Sequence, residues 1–165
     1  MSRVGVATRL GFREQARRPL LIVLLVGLPF FFITRAIAQT EEIPRAVGLP
    51  GGTSVLTTMR DIHGADMAAI TIAFLAGLAG VFVVQSALHA DRRLVVAGYR
   101  PREVIAPRLL VLGVLTAAVT AMSLVVTALS YTPSQWLPFV IGTLLVGLIY
   151  AILGALAGAA VGRLG

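Results

Sequence analysis

Residues Leu109–Gly162 read LLVLGVLTAAVTAMSLVVTALSYTPSQWLPFVIGTLLVGLIYAILGALAGAAVG, without one charged side chain, and Arg108 and Arg163 close the run at its two ends. A single bilayer crossing needs only about 20 apolar residues. The run is therefore long enough to cross, turn and cross back. The turn is written into it at Tyr131-Thr132-Pro133-Ser134-Gln135-Trp136-Leu137-Pro138, where two prolines, polar residues and interfacial aromatics come together. The stretch predicts an integral membrane protein.

Composition agrees. The chain of 165 residues is 58% apolar and 13% charged, where a soluble chain has about a quarter of its residues charged. That length leaves room for one compact membrane domain, 1–165, with little soluble mass outside it. Without cysteine there is no disulfide framework, thiol nucleophile or thiolate metal site. All fourteen basic residues are arginine, which excludes a Walker A phosphate loop, a Schiff-base lysine and a serine–lysine dyad. The net charge of +7 raises nucleic acid as a partner, but the arginines are placed as topology signals, so the expected partner is the bilayer and no nucleic acid.

Four apolar segments are expected to cross, at 19–38, 66–90, 108–131 and 137–162, each near the spanning length once tilt is allowed. The first is the weakest, because Arg35 lies near its end and has to snorkel toward headgroups. Five arginines precede the first segment, three lie between the first and second, five between the second and third, none between the third and fourth, and one follows. With both termini cytoplasmic, eleven face inward and three outward, which is the orientation the positive-inside rule selects. The connection at 39–65 is then external and the one at 91–107 cytoplasmic. A cleaved signal peptide is the competing reading of the N-terminus, through Ala36-Ile37-Ala38. Against it, Arg35 sits inside the cleavage region, and removal would put Arg163 and the basic 91–107 loop on opposite sides.

Within the spans, Gly154, Gly158 and Gly162 recur every fourth residue, flanked by Ala151, Ala155 and Ala159. Small residues at that spacing share a face on which two helix backbones approach closely. Gly77 and Gly80, each four residues after an alanine, do the same in the second span. Intramolecular packing is the expected use, with homodimerisation through Gly154–Gly162 as the alternative. Pro29 should kink the first span. Thr116, Thr120, Ser123 and Thr127 also share a face; they either line a polar path or bond back to their own helix. No Asp, Glu or Arg lies deep in a span, which weighs against a proton- or sodium-coupled transporter. His63 and His89 fall on opposite sides of the bilayer, and Asp61, His63 and Asp66 read as a solvated loop rather than a cation site. With its prolines and glycines the external loop reads as irregular, with a short helix near Ser54–Arg60. No metal or cofactor is expected.

The segment Asp91-Arg92-Arg93-Leu94-Val95-Val96-Ala97-Gly98-Tyr99-Arg100-Pro101-Arg102-Glu103-Val104-Ile105-Ala106-Pro107 carries the most information outside the spans. Gly98 is placed to stop an extension of the second helix. Pro101 and Glu103 are placed in the first turn of a new one. The segment predicts helix, tight turn, helix, with Tyr99 and Arg100 at the tip. Tyr and Arg are favoured protein-contact anchors, and the alternative is that the arginines hold topology and touch anionic lipid. At the N-terminus, apolar residues alternate with Arg3, Arg9, Arg13, Glu14, Arg17 and Arg18 as in an amphipathic helix along the interface, 3–18.

An interfacial helix leading through Arg17-Arg18-Pro19 into a span with an internal Leu28-Pro29, a sizeable external loop, a second span, and then Asp91-Arg92-Arg93-Leu94 through Ala97-Gly98-Tyr99-Arg100-Pro101-Arg102-Glu103 follow one another over nearly the whole chain. In this layout the chain resembles the membrane subunit of type-2 ABC transporters, the class with many drug, antibiotic and polysaccharide exporters. The residues read as an all-α membrane protein of four transmembrane helices, with the interfacial helix and a cytoplasmic helical elbow between spans 2 and 3, and the resemblance implies a plasma-membrane permease. It implies a non-catalytic subunit whose coupling segment binds a separate ATPase, which would assign Leu94, Tyr99, Arg100, Arg102 and Glu103 to that contact. It also implies a dimer of permease chains, homomeric or heteromeric, rocked by ATP-driven closure of two ATPases. Family members usually have six spans, so the four read here imply a truncated product or helices supplied by another polypeptide.

Three other readings compete. The ABC exporter topology of lipoprotein-releasing and cell-division proteins also has a basic loop and a Gly-Tyr/Thr-Arg turn, but it normally carries a large extracytoplasmic domain, which residues 39–65 cannot form. An intramembrane enzyme would need Ser/His, paired Asp or a histidine metal cluster within the spans, and none is present. A small structural or assembly protein without transport activity is the third.

Overall fold

The computed structural model describes Arg9 and residues 19–48, 51–130, 133 and 135–162. In chain order these form α1 (Pro19–Gln39), β1 (Pro44–Gly48), β2 (Ser54–Thr58), α2 (Met59–Val96), α3 (Pro101–Ser130) and α4 (Trp136–Val161). The interfacial helix expected at 3–18 lies outside the described residues apart from Arg9, as do Arg163 and residues 131, 132 and 134 of the break between the last two helices.

Three helices are long and apolar enough to cross a membrane: Met59–Ala87 within α2, then α3 and α4. These are the spans among the described residues, where the apolar stretch of α1 covers Val26–Gln39. Helix α2 sits at the centre and packs on each of the other three. Its 38 residues rise about 57 Å at 1.5 Å each, well beyond a hydrocarbon core of about 30 Å. The start is set locally. Thr58 is the N-cap, its hydroxyl accepting the Asp61 N–H at 3.1 Å, and the Asp61 carboxylate in the first turn suits the helix dipole. No proline interrupts the sequence from there to Val96.

Two expectations about the connection at 39–65 are corrected. It is not irregular, and Ser54–Arg60 is not a short helix. Strands β1 and β2 pair as an antiparallel hairpin in which Ala46 pairs with Leu56 and Val47 with Val55, and α2 begins directly after β2 at Met59. The molecule is therefore mostly helical with a two-stranded sheet, not all-α. Gly51 and Gly52 take φ of +106° and +80° at the hairpin tip, a region open to glycine and costly for other residues. Asp61, His63 and Asp66, read as loop residues, are the first turns of α2.

A third correction concerns the break before α4. Trp136, Leu137 and Pro138 are not part of the turn; they are the first turn of the helix, where proline is tolerated because its missing N–H has no helical partner. Trp136 there meets Phe139 edge to face, with ring centroids 6.3 Å apart. Pro29 lies inside a continuous α1 and is buried. Pro107 likewise lies inside α3, which starts at Pro101, ahead of the span expected from 108.

Small residues carry the α2–α4 contact. A Cβ added to Gly154 would overlap the Gly77 carbonyl, and its distance to the Gly77 Cα would be 2.9 Å. One added to Gly80 would overlap the Ala151 carbonyl and stand 2.7 Å from the Ala155 nitrogen, and one on Gly158 would stand 2.9 Å from the Val81 oxygen. The Gly154–Gly158 part of the stripe is thus occupied by α2 of the same chain. Gly162 is the C-cap of α4, its N–H donating to the Gly158 carbonyl at 3.1 Å. Buried Ala76, Ala79, Leu112 and Ala151 surround this seam. On the other flank of α2, Ile72, Leu75 and Val119 form a cluster against Leu24 and Leu28 of α1.

A candidate partner-binding turn

The strongest candidate site is the junction between α2 and α3. At the end of α2 the Gly98 N–H donates to the Val95 carbonyl at 3.0 Å and the Tyr99 N–H to the Leu94 carbonyl at 3.1 Å. This pair of bonds is a Schellman motif, and it needs the left-handed residue that Gly98 supplies with φ +86°. Two residues later α3 opens with Pro101, whose fixed φ suits a first helical position. Glu103 folds back so that its carboxylate accepts the Arg100 N–H at 3.1 Å, while the Glu103 N–H donates to the Arg100 carbonyl at 2.9 Å. That is the reciprocal half of a capping box, and it satisfies donors that a helix start leaves open. Both helix ends are closed by their own residues, so the turn has one shape.

On this frame Arg93, Arg100 and Arg102 are exposed, Tyr99 and Glu103 are half-buried, and Val104 and Pro107 face the bundle. Tyr99 makes a further interaction of its own. Leu94 lies at the border of exposure, and the apolar prominence is its neighbour: Val96 is 88% exposed, with Val95 and Ile105 about half exposed. The side chains of 88–92, including His89 and Arg92, lie outside what is described. Of the five residues that the resemblance assigns to an ATPase contact, Leu94, Arg100 and Arg102 are exposed, Tyr99 is half-buried, and Glu103 is engaged in holding the turn. Val95, Val96 and Ile105 were not singled out from sequence. The signal was there, since three consecutive aliphatics at 94–96, turned about 100° apart on a helix, cannot all face one core.

The opposite end of α2 is held differently. Thr40 Oγ1 donates to the Ala36 carbonyl at 2.7 Å and lies 3.2 Å from His63 Nδ1. Arg60 pairs with Glu42 across the same corner, half in solvent, where such a pair adds little stability. Among the described residues no group of three or more His, Cys, Asp or Glu is placed to hold a metal ion. Asp66 is exposed and Asp61 serves the helix start.

No protein-family model, curated protein or solved structure matches the chain.

Proposed function

We propose that the chain is a non-catalytic permease subunit that crosses the plasma membrane four times, with both termini cytoplasmic. In this reading it docks a separate ATPase through the 93–105 turn and works as a dimer of permease chains. α1 supplies the fourth crossing, uncharged from Pro19 to Thr34, with Arg35 near its end snorkelling toward headgroups. One observation carries the reading: a self-capped turn between two helices of spanning length holds exposed arginines around an exposed aliphatic knob. A topology signal or a lipid anchor needs the arginines alone. A fixed turn with Val96 and Ile105 held out among arginines fits a partner surface with an apolar hollow and an acidic rim.

The test is purification of the tagged full chain from its native membranes in mild detergent. An ATP-hydrolysing subunit is expected to co-purify, and Val96→Asp combined with Arg100→Glu should abolish its association. A lipid-facing control, Leu145→Asn, should leave it intact. Association that survives the double substitution removes the turn as the docking site.

A further inference from the structure

Thr116, Thr120, Ser123 and Thr127 share one stripe of α3, and none is more than 3% exposed. A buried hydroxyl in a helix ordinarily donates to the carbonyl three or four residues back. Thr116 does so, to Leu112 at 2.9 Å, as do Thr71 to Met67 at 2.7 Å and Thr143 to Phe139 at 2.8 Å. The same bond is open to the other three through the carbonyls of Thr116, Val119 and Ser123. None takes it: Thr120 Oγ1, Ser123 Oγ and Thr127 Oγ1 have no hydrogen-bond partner among the described residues. The Thr120 oxygen lies 3.5 Å from the position a Cβ would take on Gly147, so it faces the part of α4 that carries no side chain. Three buried hydroxyls in one row without a protein partner are rare, because a buried polar group left unsatisfied costs its full desolvation penalty.

Helix geometry suggests what fills the row. The Cβ atoms of residues three or four apart on a helix face are separated by about 5–6 Å, so hydroxyls turned the same way from them repeat at about that spacing. That is two O–H···O bonds of about 2.8 Å placed end to end. A single water between consecutive hydroxyls meets two of the two to four polar partners that a buried water requires. The polar groups of the row are hydroxyls, a donor and acceptor set that suits water. We propose that Thr120, Ser123 and Thr127 hold internal water inside the bundle, one molecule bridging each consecutive pair.

The experiment is water-edited solid-state NMR on the labelled full chain in lipid bilayers. Magnetisation from water should reach the side chains of Thr120, Ser123 and Thr127 several-fold faster than it reaches Thr116, whose hydroxyl is bound to its own helix. Ser123 belongs to both bridges, so Ser123→Ala should slow transfer at Thr120 and at Thr127. Thr127→Val breaks one bridge and should slow Ser123 while leaving Thr120 unchanged. Transfer at all three as slow as at Thr116 would mean that they have turned back to their own carbonyls, and it would overturn the proposal. Transfer at Thr120 and Thr127 unaffected by Ser123→Ala would overturn it too, since the water would then not be shared.

Discussion

At Gly154 one missing carbon decides how near α4 can come to α2. The carbonyl of Gly77 occupies the place a methyl group would need, and the neighbouring atoms are backbone, which cannot swing aside. Gly154→Ala should therefore destabilise the protein by about 1–3 kcal/mol or more, the range for overpacking a filled site. Gly142 makes the control, because a Cβ there meets nothing within 4 Å. Gly142→Ala should be neutral or stabilising by up to about 1 kcal/mol, the helix-propensity gain. Thermal unfolding in a fixed detergent, compared between the two variants, checks the pair. At the turn, Glu103→Ala removes the acceptor for the Arg100 N–H and should cost about 1 kcal/mol, as lost caps do. The readout is faster amide exchange at Arg100 with Val119 unchanged.

Among the elements, the helices and the hairpin differ in how far the sequence discloses them. The uncharged run from Leu109 onward makes α3 and α4 legible because lipid accepts nothing else over such a length. Gly98, Pro101 and Glu103 make the turn legible because each answers a local backbone need that is the same in any fold. The hairpin escapes because every residue of β1 is exposed, and Pro44, Arg45 and Gly48 leave no alternation to read. The available cue was Gly51-Gly52 between Val47 and Val55, two short runs with β-branched residues around a glycine pair. The rotamers of the α3 hydroxyls could not be read either, since back-bonded and outward-turned threonines are written with the same letters. A lone two-stranded hairpin is marginal in water. Amides of 45–48 and 54–58 should accordingly exchange with deuterium well before those of 68–83 in α2, where Ala68, Ile72, Ala76 and Val83 are buried. Equal protection in both regions would show that the hairpin is covered.

For the whole molecule, the absence of cysteine makes the proposed orientation directly measurable. Arg45→Cys in the hairpin strand and Arg102→Cys at the α2–α3 turn both fall on exposed positions. A membrane-impermeant maleimide should label the first in intact cells and the second only after permeabilisation. Labelling of Arg102→Cys from outside would invert the topology and with it the docking assignment.

The 38-residue α2 has a mechanical consequence. It begins on the residue after β2 and ends at the Schellman turn, so no flexible connection stands between the hairpin and the Val96 knob. Over its middle it is pressed backbone to backbone against α4, so the two move as a single strut. A displacement of a few ångströms at one tip meets no loop along the way that could take it up. It arrives at the far tip as tilt or as a piston stroke, some 57 Å distant.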